Sequence, residues 1–325
     1  MIFNIPNVTA RINKELSAYE FGSQPSELYD PIYYILSLGG KRLRPVLTVL
    51  GASLFTDDLE PVYKPALAVE VFHNFSLMHD DIMDKAVLRR GKQTVHEKWN
   101  ANIAILSGDV MLVKSYELLA SVDSKLLPEA LHKFNDCAAL VCDGQQLDMN
   151  YEQAEEINEQ QYLEMIEKKT AVLLGFSLEL GGQIAEAKEK DLELLNQLGI
   201  NLGMAFQLKD DLLDVYGDPE KFGKQVGGDI TANKKTFLLV KAMELAKAED
   251  KKKLIALLAD ASIKPEKKVK EVCAIYDKLH LQKLTEEKIE SYFKKADKSL
   301  STISSSVYKK SYLRQFIHKL KERES

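Results

Sequence analysis

Two short acidic segments decide how this sequence folds. Residues 78–84 read Met-His-Asp-Asp-Ile-Met-Asp, and residues 208–214 read Leu-Lys-Asp-Asp-Leu-Leu-Asp. In each segment the last aspartate follows the other two by three and four residues, so on a helix all three carboxylates lie on one side. Apolar neighbours in both copies indicate helices that pack against other helices. The pattern therefore predicts two packed helices that each carry a cluster of carboxylates.

A cation is expected to compensate each cluster, because like charges at this spacing destabilise an isolated helix. Magnesium is the natural candidate, since it binds carboxylate oxygens and is commonly shared between one or two carboxylates and substrate phosphates. The alternative is a solvated acidic helix face, which is common for a single motif of this kind. Two copies with matching apolar neighbours favour the magnesium interpretation.

A basic turn precedes the first motif. Residues 39–45 read Gly-Gly-Lys-Arg-Leu-Arg-Pro and lead into an apolar run, and Pro45 is typical of the first turn of a helix. Lys41, Arg42 and Arg44 therefore cluster at a helix N-terminus, where an exposed cation costs about 0.3–1 kcal/mol. A bound anion would reverse that cost, because the helix amides and the side chains would then act together. The alternative is a solvated basic turn.

Other candidate anion ligands lie close to the acidic motifs in sequence. Arg89 and Arg90 follow the first motif, and arginine offers paired donors that suit diphosphate oxygens. His73 precedes that motif on the same helix and is either a donor to an anion or a satisfied core histidine. Three lysines are further candidates, although a lone lysine is more often a surface residue: Lys169, Lys224 and Lys234.

The composition is that of a globular protein. Of the 325 residues, 45% are hydrophobic and 29% are charged, which argues against a disordered chain. The net charge of −5 argues against general nucleic-acid binding. The chain has no apolar run that could span a membrane and no signal-peptide pattern, so we expect a soluble, cytoplasmic protein. Cys137, Cys142 and Cys273 form no CxxC pair and indicate neither a disulfide framework nor a zinc site.

Helical periodicity runs through the chain. Apolar residues between Tyr162 and Phe176, for example, recur on one helix face. No segment is clearly a strand, and breaks are expected where glycine and proline gather, including Gly181–Gly182. Neither an internal repeat nor a low-complexity linker is found. These features predict one all-helical domain over residues 1–325.

Taken together, the motifs resemble those of trans-prenyl diphosphate synthases of the polyprenyl synthetase family, the short-chain type that includes geranylgeranyl and farnesyl diphosphate synthases. They run in family order from about Leu38 to Thr236. They are GGKRLRP, LMHDDIMD, LRRGKQTVHEKW, LSGD, GQQLDM, EKKT and FQLKDDLLD. The resemblance implies an all-α isoprenoid synthase fold, a large helical bundle around a central cavity, and a homodimer.

The resemblance also implies roles for individual residues. The ligands of a Mg²⁺ cofactor would be Asp80, Asp84, Asp210 and Asp214, and the catalytic motifs would be completed by Asp81 and Asp211. Isopentenyl diphosphate would be bound by Lys41, Arg44, His73 and Arg90. The allylic diphosphate would be contacted by Arg89, Lys169, Thr170, Gln207, Lys224 and Lys234, of which Lys169 also counts as catalytic.

The implied reaction joins isopentenyl diphosphate to an allylic diphosphate, namely dimethylallyl, geranyl or farnesyl diphosphate. Metal ions and cations stabilise the charge that builds on the departing diphosphate, and the double bond of isopentenyl diphosphate attacks the allylic cation. In the family the departed diphosphate is thought to take the proton that is then lost. The sequence contains no nucleophile elbow, HExxH motif or other separate catalytic constellation, which agrees with this chemistry.

Two other functions share some of these features. A class I terpene cyclase of the same fold would ionise one allylic diphosphate and needs no second diphosphate site, so the basic turn and the second aspartate motif argue against it. A non-catalytic subunit that modulates an active prenyl synthase would typically lose an aspartate motif, whereas both are intact here. Condensation to linear all-trans products is therefore the preferred interpretation.

Product length is expected to depend on residues one to two turns before Asp80. Phe75 lies about 7.5 Å and Phe72 about 12 Å along the helix from Asp80, so each ring could limit the growing chain. In the family, adjacent aromatics four and five residues before the first aspartate accompany a farnesyl-length limit, but here Ser76 occupies one position. The motif also lacks the insertion of the common bacterial farnesyl synthases, which favours geranylgeranyl over farnesyl diphosphate. The alternative is that Phe72 and Phe75 are core residues.

Overall fold

The computed structural model describes residues 4–217, 227–260 and 262–323. Over these residues the chain is helical apart from its loops and a short hairpin, as expected from its periodicity. The helices are α1 (Ile5–Ala18), α2 (Ser26–Ser37), α3 (Leu43–Ser53), α4 (Glu60–Met83), α5 (Val95–Lys98), α6 (Ala101–Leu119), α7 (Leu127–Gln153), α8 (Glu159–Ile166), α9 (Val172–Ile184), α10 (Glu189–Tyr216), α11 (Gly228–Thr231), α12 (Phe237–Leu245), α13 (Ala248–Ala259), α14 (Pro265–Lys278), α15 (Leu281–Thr302) and α16 (Val307–Lys321). A π-helical turn, Glu167–Ala171, joins α8 to α9. None of the described helices is long and apolar enough to cross a membrane.

A short antiparallel hairpin follows α4. Its strands β1 (Leu88–Arg89) and β2 (Lys92–Gln93) pair directly. Arg90 and Gly91 connect them with φ angles of 52° and 74°, as in two-residue hairpin turns whose central residues both have positive φ. Strands of two residues are too short to show an alternating pattern, so no strand could be predicted here. The hairpin matters because it carries Arg89 and Arg90.

The chain divides into two compact units. The first contains residues 1–136, 176–196 and 303–313, and the second contains residues 137–175, 197–302 and 314–325. The basic turn and the first acidic motif belong to the first unit, and the second motif belongs to the second. A single domain over residues 1–325 stays a prediction.

In the first unit, α4 is surrounded by other helices. From Val62 to Phe72 every side chain except Lys64 is buried, and α1, α2, α3 and α6 all contact this helix. Near its C-terminal end the approach to α6 is close, since a Cβ at Gly108 would stand 2.2 Å from the ring of His79. This packing fixes the place where α4 ends, and with it the first acidic motif.

Two helices of the first unit touch backbone to backbone at glycines. A Cβ at Gly51 in α3 would lie 2.3 Å from the carbonyl oxygen of Leu178, and one at Gly181 in α9 would lie 1.9 Å from that of Thr48. The expected break at Gly181–Gly182 is wrong, because α9 continues through both residues. Glycine costs a helix about 1 kcal/mol relative to alanine, and the close contact between α3 and α9 offsets that cost.

The core of the second unit forms where α12, α14 and α15 meet the end of α10. Its buried side chains include Leu238, Tyr276 and Leu281, together with Val215 from the last turn of α10. Val215 directly follows Asp214, so the second acidic motif ends on this core. Because Val215 is buried in this core, the end of α10 that carries the second motif is held rigidly.

Gly181→Ala should destabilise the protein, because the new methyl group would collide with the backbone of α3. Overpacking of this kind costs about 1–3 kcal/mol. Urea unfolding followed by circular dichroism should show a lower free energy of unfolding with an unchanged m-value. Ser17→Ala, at an exposed position of α1, is the control and should change it by less than about 0.5 kcal/mol. Equal effects of the two substitutions would contradict the close contact.

Candidate active site

The first aspartate motif occupies the last turn of α4. The carboxylate of Asp81 is 2% exposed. Arg89 donates to it from Nε at 2.8 and 2.9 Å and from Nη2 at 2.6 Å. Asp80 is half-buried, and Asp84 is exposed just beyond the end of the helix. The middle aspartate therefore holds an arginine of the hairpin, while the outer two keep access to solvent.

The second motif shows the same division of its aspartates. Asp211 is buried and accepts hydrogen bonds from the Tyr162 hydroxyl, from the backbone N–H of Phe237 at 3.0 Å and from Gln207 Nε2 at 3.1 Å. Burial raises the pKa of the Asp211 carboxyl to about 7, although these donors act in the opposite direction. A carboxylate surrounded by donors in this way is held in one orientation.

The outer aspartates of the second motif are half-buried. Asp214 Oδ2 accepts the backbone N–H of Asp229 at 3.0 Å, at the start of α11. Asp210 Oδ1 accepts from Arg323, whose guanidinium lies 4.5 Å from the centre of the Phe206 ring. Asp210 thus meets a cation supplied by the residue that follows α16 by two positions.

The outer aspartates of both motifs offer only oxygen donors, which are the ligands that magnesium prefers. Within residues 4–217, 227–260 and 262–323, no group of three or more histidine, cysteine, aspartate or glutamate side chains is arranged around a common metal position. Magnesium that is shared with substrate phosphates needs only one or two protein carboxylates. The donor set of Asp80 with Asp84, and of Asp210 with Asp214, fits that ion.

The basic turn lies against the hairpin in the first unit. Arg90 Nη1 donates to the carbonyl oxygen of Gly39, and a Cβ at Gly40 would stand 2.9 Å from Arg90 Nη2. Both glycines have positive φ, at 81° and 134°, a conformation that glycine adopts readily. The chain can therefore pass directly beside the arginine.

His73 is affected by the charges of the arginines in the basic turn and the hairpin. Burial lowers its pKa well below the usual value, and the charges of Arg44, Arg90, Arg89 and Arg42 lower it further. Both effects favour the neutral imidazole. Arg44 and Arg90 therefore act electrostatically on His73 although the sequence separates them, and Lys41 lies exposed in the same turn as Arg44.

Arg42 differs from the other cations of the basic turn. Its guanidinium is buried and donates to Glu70, to Asn13 and to the carbonyl oxygen of Leu36. The expectation that Arg42 would share in anion binding is therefore corrected, because its donors already hold partners inside the protein. Spacing alone could not separate it from Lys41 and Arg44.

In the second unit, a cavity of about 140 Å³ is lined by Lys169, Thr170, Gln207 and Lys234, with Asp211 at its wall. Thr170 Oγ1 donates to Gln207 Oε1 at 3.2 Å, and Lys169 Nζ pairs with Asp148 at 2.5 Å. The structure thus brings together four candidate substrate ligands that the sequence separates by up to 65 positions. Lys224 lies outside the described residues.

Lys169 and Thr170 lie in the π-helical turn between α8 and α9. Two glycines let neighbouring helices approach this turn. A Cβ at Gly144 in α7 would stand 2.2 Å from the backbone nitrogen of Lys169, and one at Gly203 would stand 2.5 Å from the Cα of Ala171. Such π-helical insertions are frequent at functional sites, because they redirect side chains within a helix. A larger cavity of about 560 Å³ lies on another face of α10, where Leu212 and Tyr216 are among its lining residues.

The candidate chain-length residues differ in burial. Phe72 is 1% exposed and packs edge-on against Phe134 with ring centres 5.2 Å apart. Phe75 is half-buried, with its ring 5.6 Å from Phe72 and 4.7 Å from His79. The hydroxyl of Ser76 donates to the His73 carbonyl at 2.9 Å. Phe72 is thus a core residue, whereas Phe75 lies nearer the surface of α4.

Some residues of the site were not predicted. Asp148 lies in the GQQLDM motif and could have been proposed from that position as a partner for a lysine. Periodicity places Tyr162 on an apolar helix face and does not reveal its hydroxyl contact with Asp211. Arg323 is 113 residues from Asp210, so no local pattern links the two.

Comparisons with known proteins identify the family and the fold. The family model for Polyprenyl synthetase matches residues 25–276. The geranylgeranyl diphosphate synthase of Sulfolobus acidocaldarius is 37% identical over 298 residues, which cover 90% of this chain and 89% of that one. A crystal structure of a geranylgeranyl pyrophosphate synthase matches with a TM-score of 0.94 at 41% identity over 100% of both chains. The predicted all-helical isoprenoid synthase fold is confirmed by this match.

Two further comparisons concern the product and the metal. The farnesyl diphosphate synthase of Bacillus subtilis is 36% identical over 247 residues, which cover 73% of this chain and 83% of that one. A polyprenyl synthase from Caulobacter crescentus, crystallised with calcium and isoprenyl diphosphate, matches with a TM-score of 0.83 at 27% identity over 99% and 95% of the two chains. Relatives named for different products are thus similar in sequence to this chain.

Tyr162→Phe should destabilise the protein, because it removes a donor from the buried carboxyl of Asp211. Losing one partner of a buried polar group costs about 1–3 kcal/mol. The free energy of unfolding from urea titration measures this loss. Tyr308→Phe removes a hydroxyl from a side chain that is 62% exposed and is the matched control. A Tyr162→Phe protein as stable as this control would show that the hydroxyl contact contributes nothing.

Proposed function

Because the chain belongs to the polyprenyl synthetase family and is a short-chain trans-prenyl diphosphate synthase, we propose that it elongates allylic diphosphates with isopentenyl diphosphate to geranylgeranyl diphosphate. The observation that carries the proposal is the shared design of the two acidic motifs. In each, the middle aspartate is buried among donors, and the outer two keep access to solvent. The outer pairs therefore lie where a ligand can reach them from solvent.

The allylic diphosphate is assigned to the cavity of the second unit. Lys169, Thr170 and Gln207 would bind and orient it, with Lys234, Lys224 and Arg89 as further ligands. The fixed Gln207 amide presents its oxygen beside Thr170 and can face the positive charge that develops on the allylic carbon. In this proposal Asp81 and Asp211 act by holding Arg89 and Gln207.

Magnesium, held by Asp80 with Asp84 and by Asp210 with Asp214, would supply positive charge to the departing diphosphate. The chain's own cations contribute to the same electrostatic task. Lys169 is set beside Asp148, and a lysine in such a pair can donate to a phosphate oxygen without leaving its carboxylate. A partly closed site strengthens these interactions relative to water.

Isopentenyl diphosphate is assigned to the basic turn and its neighbours, Lys41, Arg44, His73 and Arg90. Arginine forms paired hydrogen bonds with phosphate oxygens. The neutral imidazole of His73 can donate one further hydrogen bond without adding to the repulsion between the guanidinium groups. A terpene cyclase would have no use for this second anion site, and a modulating subunit would have no use for two intact aspartate motifs.

The preference for geranylgeranyl over farnesyl diphosphate rests on Phe75 and Ser76. Of the two positions that precede the first motif, only Phe75 is aromatic, and Ser76 is small and bonded to its own helix. Phe72 is buried and packs against Phe134, so Phe75 is the more accessible of the two rings. A small side chain at position 76 would leave more length for the product than a second aromatic ring would.

A homodimer in the cytoplasm is also proposed. Helix α6 presents an apolar face, on which Leu106 is 58% and Val113 is 64% exposed, with Ile105 at 43%. Residues 106 and 113 are two turns apart and share one stripe of the helix. Exposed apolar side chains of this kind, here beside the exposed Asp109, are typical of a surface covered by another protein.

Replacing the first aspartate of either motif, as in Asp80→Ala or Asp210→Ala, should leave a folded protein that is nearly inactive. Loss of metal contacts worth several kcal/mol lowers turnover by about a thousandfold. Product formation from labelled isopentenyl diphosphate measures this, with circular dichroism as the check on folding. Chelation with EDTA should stop the wild-type enzyme and added magnesium should restore it. Near-normal turnover in metal-free buffer would refute the metal assignment.

Phe75→Ala should lengthen the products, because it removes the ring nearest the motif, and Ser76→Phe should shorten them. Chromatography of the dephosphorylated products gives the chain lengths. Tyr116→Phe, on a neighbouring ring that contacts Phe134, is the control and should leave the distribution unchanged. If Phe75→Ala remains active with an unchanged distribution, product length is set elsewhere.

Leu106→Glu should convert the dimer to a monomer of 36.7 kDa, because a buried unpaired charge opposes association. Light scattering coupled to size-exclusion chromatography reads the mass directly. Ile255→Glu places the same charge on α13, at a side chain that is 47% exposed, and should leave the dimer intact. A monomeric wild-type protein would rule out the proposal.

A further inference from the structure

We propose that Arg42 and Glu70 form a positioning pair, which holds the basic turn of residues 39–45 in the arrangement that isopentenyl diphosphate requires. The inference rests on the proposed function of that turn. It assigns roles to two residues that do not themselves touch the substrate. Their effect would be exerted through Lys41, Arg44 and His73.

Arg42 occupies an unusual place in the chain. It precedes the first residue of α3 and has a φ of 48°, in the left-handed region that a branched or long side chain rarely adopts. A residue in that conformation costs about 1–3 kcal/mol and persists only where its surroundings hold it. The holding contacts come from the guanidinium, which is 4% exposed.

Those contacts reach three helices. Arg42 Nη1 lies 2.6 Å from Glu70 Oε1 of α4, Nε lies 2.9 Å from Asn13 Oδ1 of α1, and Nη2 lies 2.8 Å from the Leu36 carbonyl oxygen of α2. The planar guanidinium presents donors in all these directions at once, which the single ammonium of lysine cannot do. Arg42 therefore fixes the direction in which the chain enters α3.

Glu70 is the other half of the pair. Its carboxylate is 3% exposed and also accepts from Asn74 Nδ2 at 3.2 Å. Glu70 is three residues before His73 on α4, so the two share a face of that helix. The pair thus joins the start of α3 to the stretch of α4 that carries His73.

The pair also reduces the repulsion between the arginine side chains of this region. The charges of Arg44, Arg89, Arg90 and Arg42 all lower the pKa of His73, those of Arg42 and Arg89 also lower the pKa of Arg90, and like charges repel one another. The buried charges of Glu70 and Asp81 are the compensating groups, one bonded to Arg42 and the other to Arg89. With Glu70 neutralised, Arg42 would be an uncompensated buried cation beside the others, and the turn would move to separate them.

Glu70→Gln tests the pair, because it keeps the size of the side chain and removes its charge. Isothermal titration with isopentenyl diphosphate alone, without an allylic substrate, measures binding when no reaction takes place. We expect the dissociation constant to rise by about tenfold or more, since small displacements of positioned groups have large effects. The KM for farnesyl diphosphate should change by less than about threefold, because that substrate uses other residues.

Lys133→Met is the matched control. It breaks the Lys133–Glu179 ion pair, 2.7 Å long and largely buried in the same unit, and so lowers stability without touching the basic turn. Its affinity for isopentenyl diphosphate should stay within about twofold of wild type. If Glu70→Gln behaves like this control, or weakens the binding of both substrates equally, the pair is only structural and the proposal fails.

A milder variant covers the case in which Glu70→Gln does not fold. Asn13→Ala removes one contact to Arg42 from an exposed position. It should weaken the binding of isopentenyl diphosphate by about threefold and leave the KM for farnesyl diphosphate unchanged. An unchanged affinity would count against the proposal. Failure of the wild-type protein to bind isopentenyl diphosphate would instead overturn the proposed function, so the two failures are distinguishable.

Discussion

Buried carboxylates paired with fixed donors are the constraint on which both candidate substrate regions depend. Glu70 with Arg42, Asp81 with Arg89, and Asp211 with Tyr162 each place a carboxyl group out of solvent and satisfy it with hydrogen bonds. A carboxyl group buried in this way is costly unless its partners are complete. Each pair therefore tolerates little displacement of the elements that it joins.

The same constraint explains why one acidic motif contains two kinds of aspartate. Helical spacing puts three carboxylates on one side of α4 and of α10, and their mutual repulsion would destabilise a bare helix. Turning the middle carboxylate into the protein, against an arginine or against a tyrosine and a backbone amide, removes one charge from the cluster. The outer carboxylates lie nearer the surface, where Asp210 pairs with Arg323.

Much of the fold and of the candidate site can be predicted from the sequence, because the features that indicate them are local. Helical spacing of Asp80 and Asp84, and Pro45 at the first turn of α3, follow from rules that span one or two turns. The features that the sequence does not reveal depend on contacts between segments that are distant in the chain. The sequence pattern predicts a helix break at Gly181, whereas this residue packs against the backbone of Thr48. The same pattern does not distinguish Arg42 from Lys41 and Arg44, whereas Arg42 is buried against Glu70.

The central claim is that this chain joins isopentenyl diphosphate to an allylic diphosphate and releases a linear product. The direct measurement is to incubate the purified protein with both substrates and magnesium, and to identify the dephosphorylated products by mass spectrometry. Linear all-trans alcohols longer than the primer by whole isoprene units, with geranylgeraniol the largest, are the predicted result. Cyclic hydrocarbons formed without consumption of isopentenyl diphosphate, or no product until a second protein is added, would contradict the account.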